Sequence, residues 1–185
     1  MCGIWVYLLK DNDEIKDFNE LYKKFYTMTG RGPDNFVFKY IKDKFIIGFH
    51  RLKIMDLSED GNQPFEFKKD NIQYYSVCNG EIYNAQELKD NELQDYNFKS
   101  GSDCEVLIPL YLKYGLKMCD YLDGVFTFTI IKLVGDYYEI VASRDRIGVR
   151  PGFIGYNNDN NSICISSEIK GLTGIFDNID VFTPG

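Results

Sequence analysis

The chain has 185 residues, of which 44% are hydrophobic and 16% aromatic, so it suits one globular domain and is not a disordered polypeptide. Acidic side chains outnumber basic ones by 28 to 21. The resulting net charge of −7 opposes binding to nucleic acid or to anionic membrane surfaces, because both require a basic face. In addition, no apolar run approaches the roughly 18 residues of a membrane span. We therefore expect neither nucleic acid nor a membrane among its partners.

The cysteines and the single histidine limit the kinds of site that the chain can build. The five cysteines are odd in number and form no C-x-x-C pair, which favours a reducing compartment over a disulfide framework or a zinc site. One histidine, His50, cannot supply most metal-ligand sets, and it follows an apolar segment typical of a structural residue. The amino terminus lacks a signal-peptide pattern. We therefore predict a cytoplasmic protein without a bound metal, and expect four cysteines to be core residues: Cys78, Cys104, Cys119 and Cys164.

Apolar patterning predicts alternating strands and helices along the chain. In chain order we predict a strand at 2–9, a helix at 18–28, strands at 36–40, 45–49 and 72–78, helices at 84–93 and 103–114, strands at 124–133, 137–143, 152–156 and 162–166, and a short helix at 168–172. Ser102 and Glu105 form a capping pattern at the second of the paired helices. Because the strands of the second half are too close in sequence for crossover helices, their pairing should be antiparallel, in an α+β fold.

Cys2 is the most informative position for chemistry. If Met1 is removed, Cys2 carries a thiol and an α-amine together, and the two groups titrate near pH 8.5 and pH 8. An amine can activate its own side-chain nucleophile, directly or through one water, so that no histidine is needed. From its position alone, however, a cysteine at the start of a strand is more typical of a small buried core residue.

Eight short motifs, spread in order over nearly the whole chain, change that interpretation. Residues 1–5 read MCGIW, and the segments that follow are RGPD at 31–34, GFHRL at 48–52, NGEIYN at 79–84, GSD at 101–103, LDGVF at 122–126, SRDRIGVRP at 143–151 and SEIK at 167–170. Together they resemble the class II glutamine amidotransferases, a branch of the N-terminal-nucleophile hydrolases. The resemblance is closest to the glutaminase domain of glutamine-hydrolysing asparagine synthetase, and it implies one such domain over residues 1–185.

The resemblance implies a four-layer αββα fold and assigns roles to eight residues. Cys2 would attack the carboxamide of glutamine, while the Asn79 side chain and the Gly80 backbone N–H would hold the oxyanion. The remaining five would bind glutamine: Arg51 its α-carboxylate, Asp103 and Glu81 its amino end, and Ile54 and Met55 through their backbones. Each residue also has a simpler interpretation. Asn-Gly after a β-run is typical of a tight hairpin turn, a lone arginine of a surface residue, and an aspartate of a helix first turn.

The resemblance also implies what lies outside this sequence. Glutamine hydrolysis needs no cofactor, whereas asparagine synthesis needs ATP and Mg²⁺ in a C-terminal synthetase domain, in the same longer chain or as a separate partner. No G-x-x-x-x-G-K-[ST] or S-G-G-x-D-S string is present here. Two alternatives stay open: an ammonia-supplying domain of another class II pathway, and a catalytically silent binding or regulatory module.

Charged residues in the motif turns are expected to be structural, since such residues commonly fix loops through hydrogen bonds. They are Asp34, Asp123, Arg144, Asp145, Arg146 and Glu168. The sequence departs from the family pattern at Gly30, where a histidine is usual, and at Lys53, where a small residue is usual. It departs again at Gly152 and Phe153, which replace a leucine and an aromatic residue.

Overall fold

The computed structural model describes residues 1–9, 15, 17–158 and 162–185. Its three α-helices are α1 (Phe18–Tyr26), α2 (Ala85–Asn91) and α3 (Leu107–Tyr114). Its ten strands are β1 (Gly3–Leu8), β2 (Asn35–Ile41), β3 (Phe45–Arg51), β4 (Phe65–Lys69), β5 (Ile72–Ile82), β6 (Gly124–Val134), β7 (Tyr137–Arg144), β8 (Phe153–Tyr156), β9 (Ile163–Ser166) and β10 (Asn178–Val181).

The strands form two antiparallel sheets. The first has six strands in the order β10-β8-β9-β1-β3-β2, and the second has four in the order β4-β5-β6-β7. In the first sheet β1 is central: Gly3 pairs with His50 of β3, and Trp5 pairs with Ser166 of β9. In the second, β5 pairs with β6 over all 11 of its residues. The predicted antiparallel pairing of the second half is confirmed.

Three buried apolar clusters separate four layers. Ile4, Val6 and Leu8 of β1 point into the cluster between the two sheets, where they meet Val77 and Ile131 of the second sheet. The alternate β1 side chains, Trp5 and Tyr7, pack in another cluster with Leu21 and Phe25 of α1. The third cluster joins the outer face of the second sheet to α2 and α3. Because β1 is buried on both faces, its sequence is a continuous hydrophobic run. The three clusters confirm the predicted αββα layering.

Helix α1 illustrates why the sequence folds this way. The Asp17 side chain accepts a hydrogen bond from the Glu20 N–H at 2.9 Å and so caps the first turn. Leu21, Phe25 and Met28 recur at helical spacing and are buried on the first sheet. The helix ends at Tyr26, and a 3₁₀ turn at Thr29–Arg31 follows, so the predicted helix at 18–28 was two residues too long.

The sequence-based boundaries were wrong in several other places. Strands β4 and β10 were not predicted, since β4 ends in two lysines and β10 contributes only two apolar side chains. The predicted helix at 103–114 begins with a 3₁₀ turn at Asp103–Val106. The predicted helix at 168–172 is a single 3₁₀ turn at Ile169–Gly171. The predicted strand at 72–78 continues to Ile82, which places Asn79 and Gly80 inside β5 instead of in a turn.

The capping pattern of Ser102 and Glu105 is half confirmed. Ser102 Oγ accepts from the Cys104 N–H at 3.3 Å, as an N-cap does. Glu105, which is buried, instead accepts from the N–H groups of Lys99 and Ser100 at 2.9 and 2.8 Å. It therefore fixes the loop that leads into Asp103. Within the part of the chain that the structure describes, no helix has the length and apolar character needed to cross a membrane.

Candidate active site

A cleft that is open to solvent lies where β1 begins and β3 ends, beside the last residues of β5. All eight residues singled out from the sequence line it, and they come from four separate segments of the chain: 2, 51–55, 79–81 and 103. They are Cys2, Arg51, Ile54, Met55, Asn79, Gly80, Glu81 and Asp103. The fold therefore gathers the sequence motifs into one place, while the chemical role of each residue stays a prediction.

Cys2 lies immediately before β1, with its thiol half-buried in the cleft. Its Sγ accepts a hydrogen bond from the Leu52 N–H at 3.4 Å. Burial raises the pKa of the Cys2 thiol, and the Leu52 hydrogen bond and the nearby positive charges of the N-terminus and Arg51 only partly oppose that rise. Since the thiol stays protonated at neutral pH, its use as a nucleophile requires a base beside it.

Asn79 and Arg31 form a network around the Cys2 main chain. With the Asn79 amide oriented so that both of its polar atoms have partners, its nitrogen donates to the Cys2 carbonyl at 2.8 Å. Its oxygen then accepts from Arg31 Nη2 at 3.0 Å, and Arg31 Nε donates to the same Cys2 carbonyl at 3.1 Å. Glu168 lies 3.9 Å from the Arg31 guanidinium and balances its charge. This network fixes the residue that carries the thiol.

Gly80 faces the cleft through its backbone from within a strand. Asn-Gly is not a tight turn here, because Asn79 pairs with Thr127 and Gly80 with Phe126 in the β5–β6 ladder. The pairing of β4 with β5 ends at Ser76, so beyond it no described strand covers the outer edge of β5. There the N–H groups of Cys78 and Ile82 donate to the side chains of Gln63 and Asp103, at 2.6 Å each.

Alternate residues of a strand direct their N–H groups to the same side, so the Gly80 N–H, between Cys78 and Ile82, points towards this edge and the cleft. A side chain at position 80 would collide with the backbone of Val125, so the close approach of β6 requires glycine.

The other end of the cleft carries opposite charges. Arg51, the last residue of β3, is only 4% exposed. Its guanidinium donates to the carbonyl of Ser58 at 2.6 Å, to the Asn62 side chain at 2.8 Å, and to the carbonyl of Asp56. Three of its five N–H donors thus hold the loop at 52–62, and its role as a carboxylate clamp stays a prediction. Asp103 uses one carboxylate oxygen to accept from Ile82 and keeps a second for a ligand.

The loop that Arg51 holds forms the rim of the cleft. Ile54 and Met55 are 60% and 62% exposed at the cleft mouth. Lys53, the unusual residue at its position, pairs with Glu59 at 2.7 Å, and its backbone N–H donates to Asp34 at 2.8 Å. The Lys53 charge is therefore neutralised within the loop.

The structural interpretation of several residues is confirmed. His50 is fully buried between Phe25 and Phe36, and Asp34 holds the Lys53 N–H as described above. Asp145 accepts from three backbone N–H groups, and the Arg144 guanidinium donates to three backbone carbonyls. Glu168 balances Arg31. For Asp123 and Arg146, which are exposed, the structural role stays a prediction.

The four other cysteines are free, as Cys2 is. Cys78, Cys104 and Cys164 are buried, which confirms their assignment to the core, although the first two also border the cleft. Cys119 is half-buried and packs against the cluster that joins the second sheet to α2 and α3. In the described residues, no three histidine, cysteine, aspartate or glutamate side chains are arranged to hold a metal ion.

Sequence reasoning assigned no role to Arg31 or Arg150. Both belong to family motifs, RGPD and SRDRIGVRP, which could have marked them as candidates. Only the folded chain brings Arg31 to Cys2 and Arg150 to Glu81. Arg150 lines the cleft and pairs with Glu81 at 2.8 Å.

Comparison with known proteins agrees with this geometry. Residues 1–181 match the family model of the glutamine amidotransferase domain. The whole chain is 35% identical to a probable glutamine-hydrolysing asparagine synthetase of Acanthamoeba polyphaga mimivirus, and 37% identical to the asparagine synthetase of Asparagus officinalis. It spans 33% and 30% of the lengths of these two relatives.

Solved structures share the fold at low sequence identity. The glutamine phosphoribosylpyrophosphate amidotransferase of B. subtilis superimposes on the whole chain with a TM-score of 0.75 and 20% identity, over 50% of its own length. The family-model match and the relatives agree with the site assembled above: this chain belongs to the glutamine amidotransferase domain family.

Proposed function

We propose that the chain hydrolyses glutamine to glutamate and ammonia, with Cys2 as the nucleophile. The observation that carries the proposal is the placement of the Cys2 thiol, the Asn79 amide and the edge of β5 at Gly80 around one cleft. The acidic side chains of Glu81 and Asp103 lie on the same cleft and suit the α-ammonium of free glutamine, while Arg51 offers the cation that its α-carboxylate needs.

The proposed reaction begins with removal of Met1, which leaves the Cys2 α-amine free. That amine takes the thiol proton, and the thiolate attacks the side-chain carboxamide carbon of glutamine. The Asn79 amide and the Gly80 N–H stabilise the tetrahedral oxyanion as it forms. Collapse of the intermediate releases ammonia, which leaves with the proton from the amine, and forms a γ-glutamyl thioester. Water, deprotonated by the same amine, then releases glutamate and restores the thiol.

Neither a metal nor an organic cofactor enters this scheme. A neutral thiol needs a base to become nucleophilic, and the α-amine of Cys2 would lie directly beside it once Met1 is removed. We propose that the protein is cytoplasmic, since its five free cysteines suit a reducing compartment.

We further propose that the ammonia serves an ATP- and Mg²⁺-dependent synthetase domain that converts aspartate to asparagine. The support is the names of the relatives, glutamine-hydrolysing asparagine synthetases about three times as long as this chain. That domain would lie in the same longer chain or in a separate protein. We expect this chain by itself to release glutamate whether or not aspartate, ATP and Mg²⁺ are present, and to form no asparagine.

One experiment tests the glutaminase proposal. Intact mass spectrometry reports whether Met1 is removed, and incubation with 6-diazo-5-oxo-L-norleucine, an electrophilic glutamine analogue, should add one adduct at Cys2. Cys2→Ala should abolish both the adduct and glutamate release, whereas the control Cys119→Ala, a half-buried cysteine outside the cleft, should keep both. Full glutamate release by Cys2→Ala, or by a protein that retains Met1, would refute the mechanism. A folded protein that has lost Met1 but neither reacts nor hydrolyses would be a silent module.

A further inference from the structure

The segment after β7 is built to present one side chain to the cleft. The Asp145 carboxylate accepts from the N–H groups of Val149 and Arg150 at 2.8 and 3.1 Å, and from that of Phe126 at 3.2 Å. From the other side, Arg144 Nε donates to the Arg150 carbonyl at 2.6 Å. The main chain of Arg150 is thus held at both its N–H and its carbonyl, which fixes where its side chain begins.

Arg150 reaches the cleft in a confined setting. Its side chain is 13% exposed, and Nη2 lies 2.8 Å from Glu81 Oε1. Nη1 contacts the Met1 sulfur at the cleft mouth. Its Nε is buried, and no described residue supplies an acceptor for it, so the protein does not saturate this guanidinium.

Glu81 depends on this contact for a defined position. It follows Gly80 near the end of β5, and its side chain is 44% exposed, so solvent allows it several rotamers. The ion pair with Arg150 occupies one carboxylate oxygen and leaves the other to accept from a ligand. Because a charge-assisted hydrogen bond to a fixed guanidinium is directional, the pair selects one orientation of the carboxylate.

We propose that Arg150 is a positioning residue of the glutamine site, which orients the Glu81 carboxylate towards the α-ammonium of the substrate. This inference rests on the proposed function and deepens it. It also gives a reason for the SRDRIGVRP motif beyond turn formation: Arg144 and Asp145 fix the backbone that carries Arg150. Arg150 acts through Glu81 and does not touch the reacting carboxamide.

The test compares two substrates in steady-state assays that follow ammonia release. L-Glutamine carries the α-ammonium, and glutaramate is the same molecule without it. Arg150→Met should raise KM for L-glutamine by about tenfold or more, the usual effect of losing a hydrogen bond to a charged group, with kcat within about twofold. Its KM for glutaramate should equal that of the unmodified protein. Arg150→Lys should recover part of the loss, and Arg146→Met, at an exposed arginine of the same turn, should behave as the unmodified protein.

A double-mutant cycle excludes a merely structural role. If Arg150 acts through Glu81, the double variant Glu81→Gln/Arg150→Met should be no worse towards L-glutamine than Glu81→Gln. Equal losses for the two substrates, additive losses in the cycle, or a fall in kcat at unchanged KM would overturn the inference while leaving the glutaminase proposal intact. Absence of both ammonia release and Cys2 labelling in the unmodified, Met1-free protein would overturn both.

Discussion

The side-chain amide of Asn79 lies 2.8 Å from the main-chain carbonyl of Cys2, with its nitrogen turned towards that oxygen. An amide nitrogen has two N–H groups, so one can hold the Cys2 backbone while the other remains for an oxyanion in the cleft. Arg31 donates to both partners, to the Asn79 oxygen and to the Cys2 carbonyl. The residue proposed to stabilise the transition state therefore also fixes the residue proposed to attack.

This double use predicts the effect of removing the amide. Asn79→Ala should lower kcat for glutamate release by a factor of about 10²–10³, the typical cost of losing one oxyanion donor. It should also lower the free energy of unfolding by about 1–3 kcal/mol, because it leaves buried partners unsatisfied. Kinetics and urea unfolding measure the two effects, with Asn178→Ala on the distant strand β10 as control. A variant with unchanged kcat would show that Asn79 only holds the backbone.

Arg51 offers a second test, since its guanidinium holds the loop at 52–62 through three acceptors. Arg51→Lys keeps the charge but loses the planar fork, so we expect a KM for glutamine raised about tenfold or more. Chymotrypsin should also cleave faster after Leu57, which is 72% exposed in that loop. Arg146→Lys makes the same substitution at an exposed arginine and should change neither quantity. Unchanged KM together with unchanged cleavage would contradict both roles of Arg51.

The only histidine predicts a pH dependence of stability. His50 Nε2 lies 3.0 Å from the Phe25 carbonyl, so Nε2 carries the proton of the neutral ring. Nδ1 would take the second proton, but it is buried without an acceptor among the described residues. Burial lowers the pKa of His50 below its ordinary value of 6.5, and the Phe25 hydrogen bond only partly opposes this.

The sign follows from which state binds the proton. Below the ordinary pKa of 6.5 the unfolded chain protonates His50 and the folded chain resists, so the free energy of unfolding falls as pH drops from about 7 to 5. One proton limits the slope to about 1.4 kcal/mol per pH unit. Urea unfolding across this range should give a shallower slope for His50→Gln, since the carboxylates titrate in both proteins. Parallel slopes would mean that His50 charges freely in the folded state.

Gly48 predicts a purely steric effect in the first sheet. A Cβ at this position of β3 would lie 2.5 Å from Cδ2 of the buried Phe25 ring, in a tightly packed layer. Gly48→Ala should therefore lower the free energy of unfolding by about 1–3 kcal/mol, as overpacking commonly does. The matched control is Gly30→Ala, because a Cβ at that exposed position meets nothing within 4 Å. Equal stabilities of the two variants in urea would show that the Phe25 ring yields without cost.

Which residues lie together around the cleft was easier to predict than the elements that carry them. The motifs containing Cys2, Arg51 and Asn79 lie at strand ends, and antiparallel pairing in the two packed sheets brings those ends together. The local turn preference of Asn-Gly failed because the ladder between β5 and β6 outweighs it. A dipeptide preference is a local quantity, whereas 11 paired residues are a tertiary one.

Contacts between distant segments explain what else was missed. Glu81 and Arg150 are 69 residues apart, and no local spacing relates them. Glu105 matched a capping pattern, yet its carboxylate serves the preceding loop, since Lys99 and Ser100 present their N–H groups to it. Strand β4 has charged or polar residues at three of its five positions, so its pairing with β5, and not its composition, makes it a strand.

The location of Met1 has a practical consequence. Met1 lines the same cleft as Cys2, and its sulfur contacts Arg150 at the mouth. Any affinity tag fused ahead of it would start inside the cleft in which we propose that glutamine binds. Purification handles therefore belong at the carboxyl end, or must be cut by a protease that leaves Cys2 as the first residue.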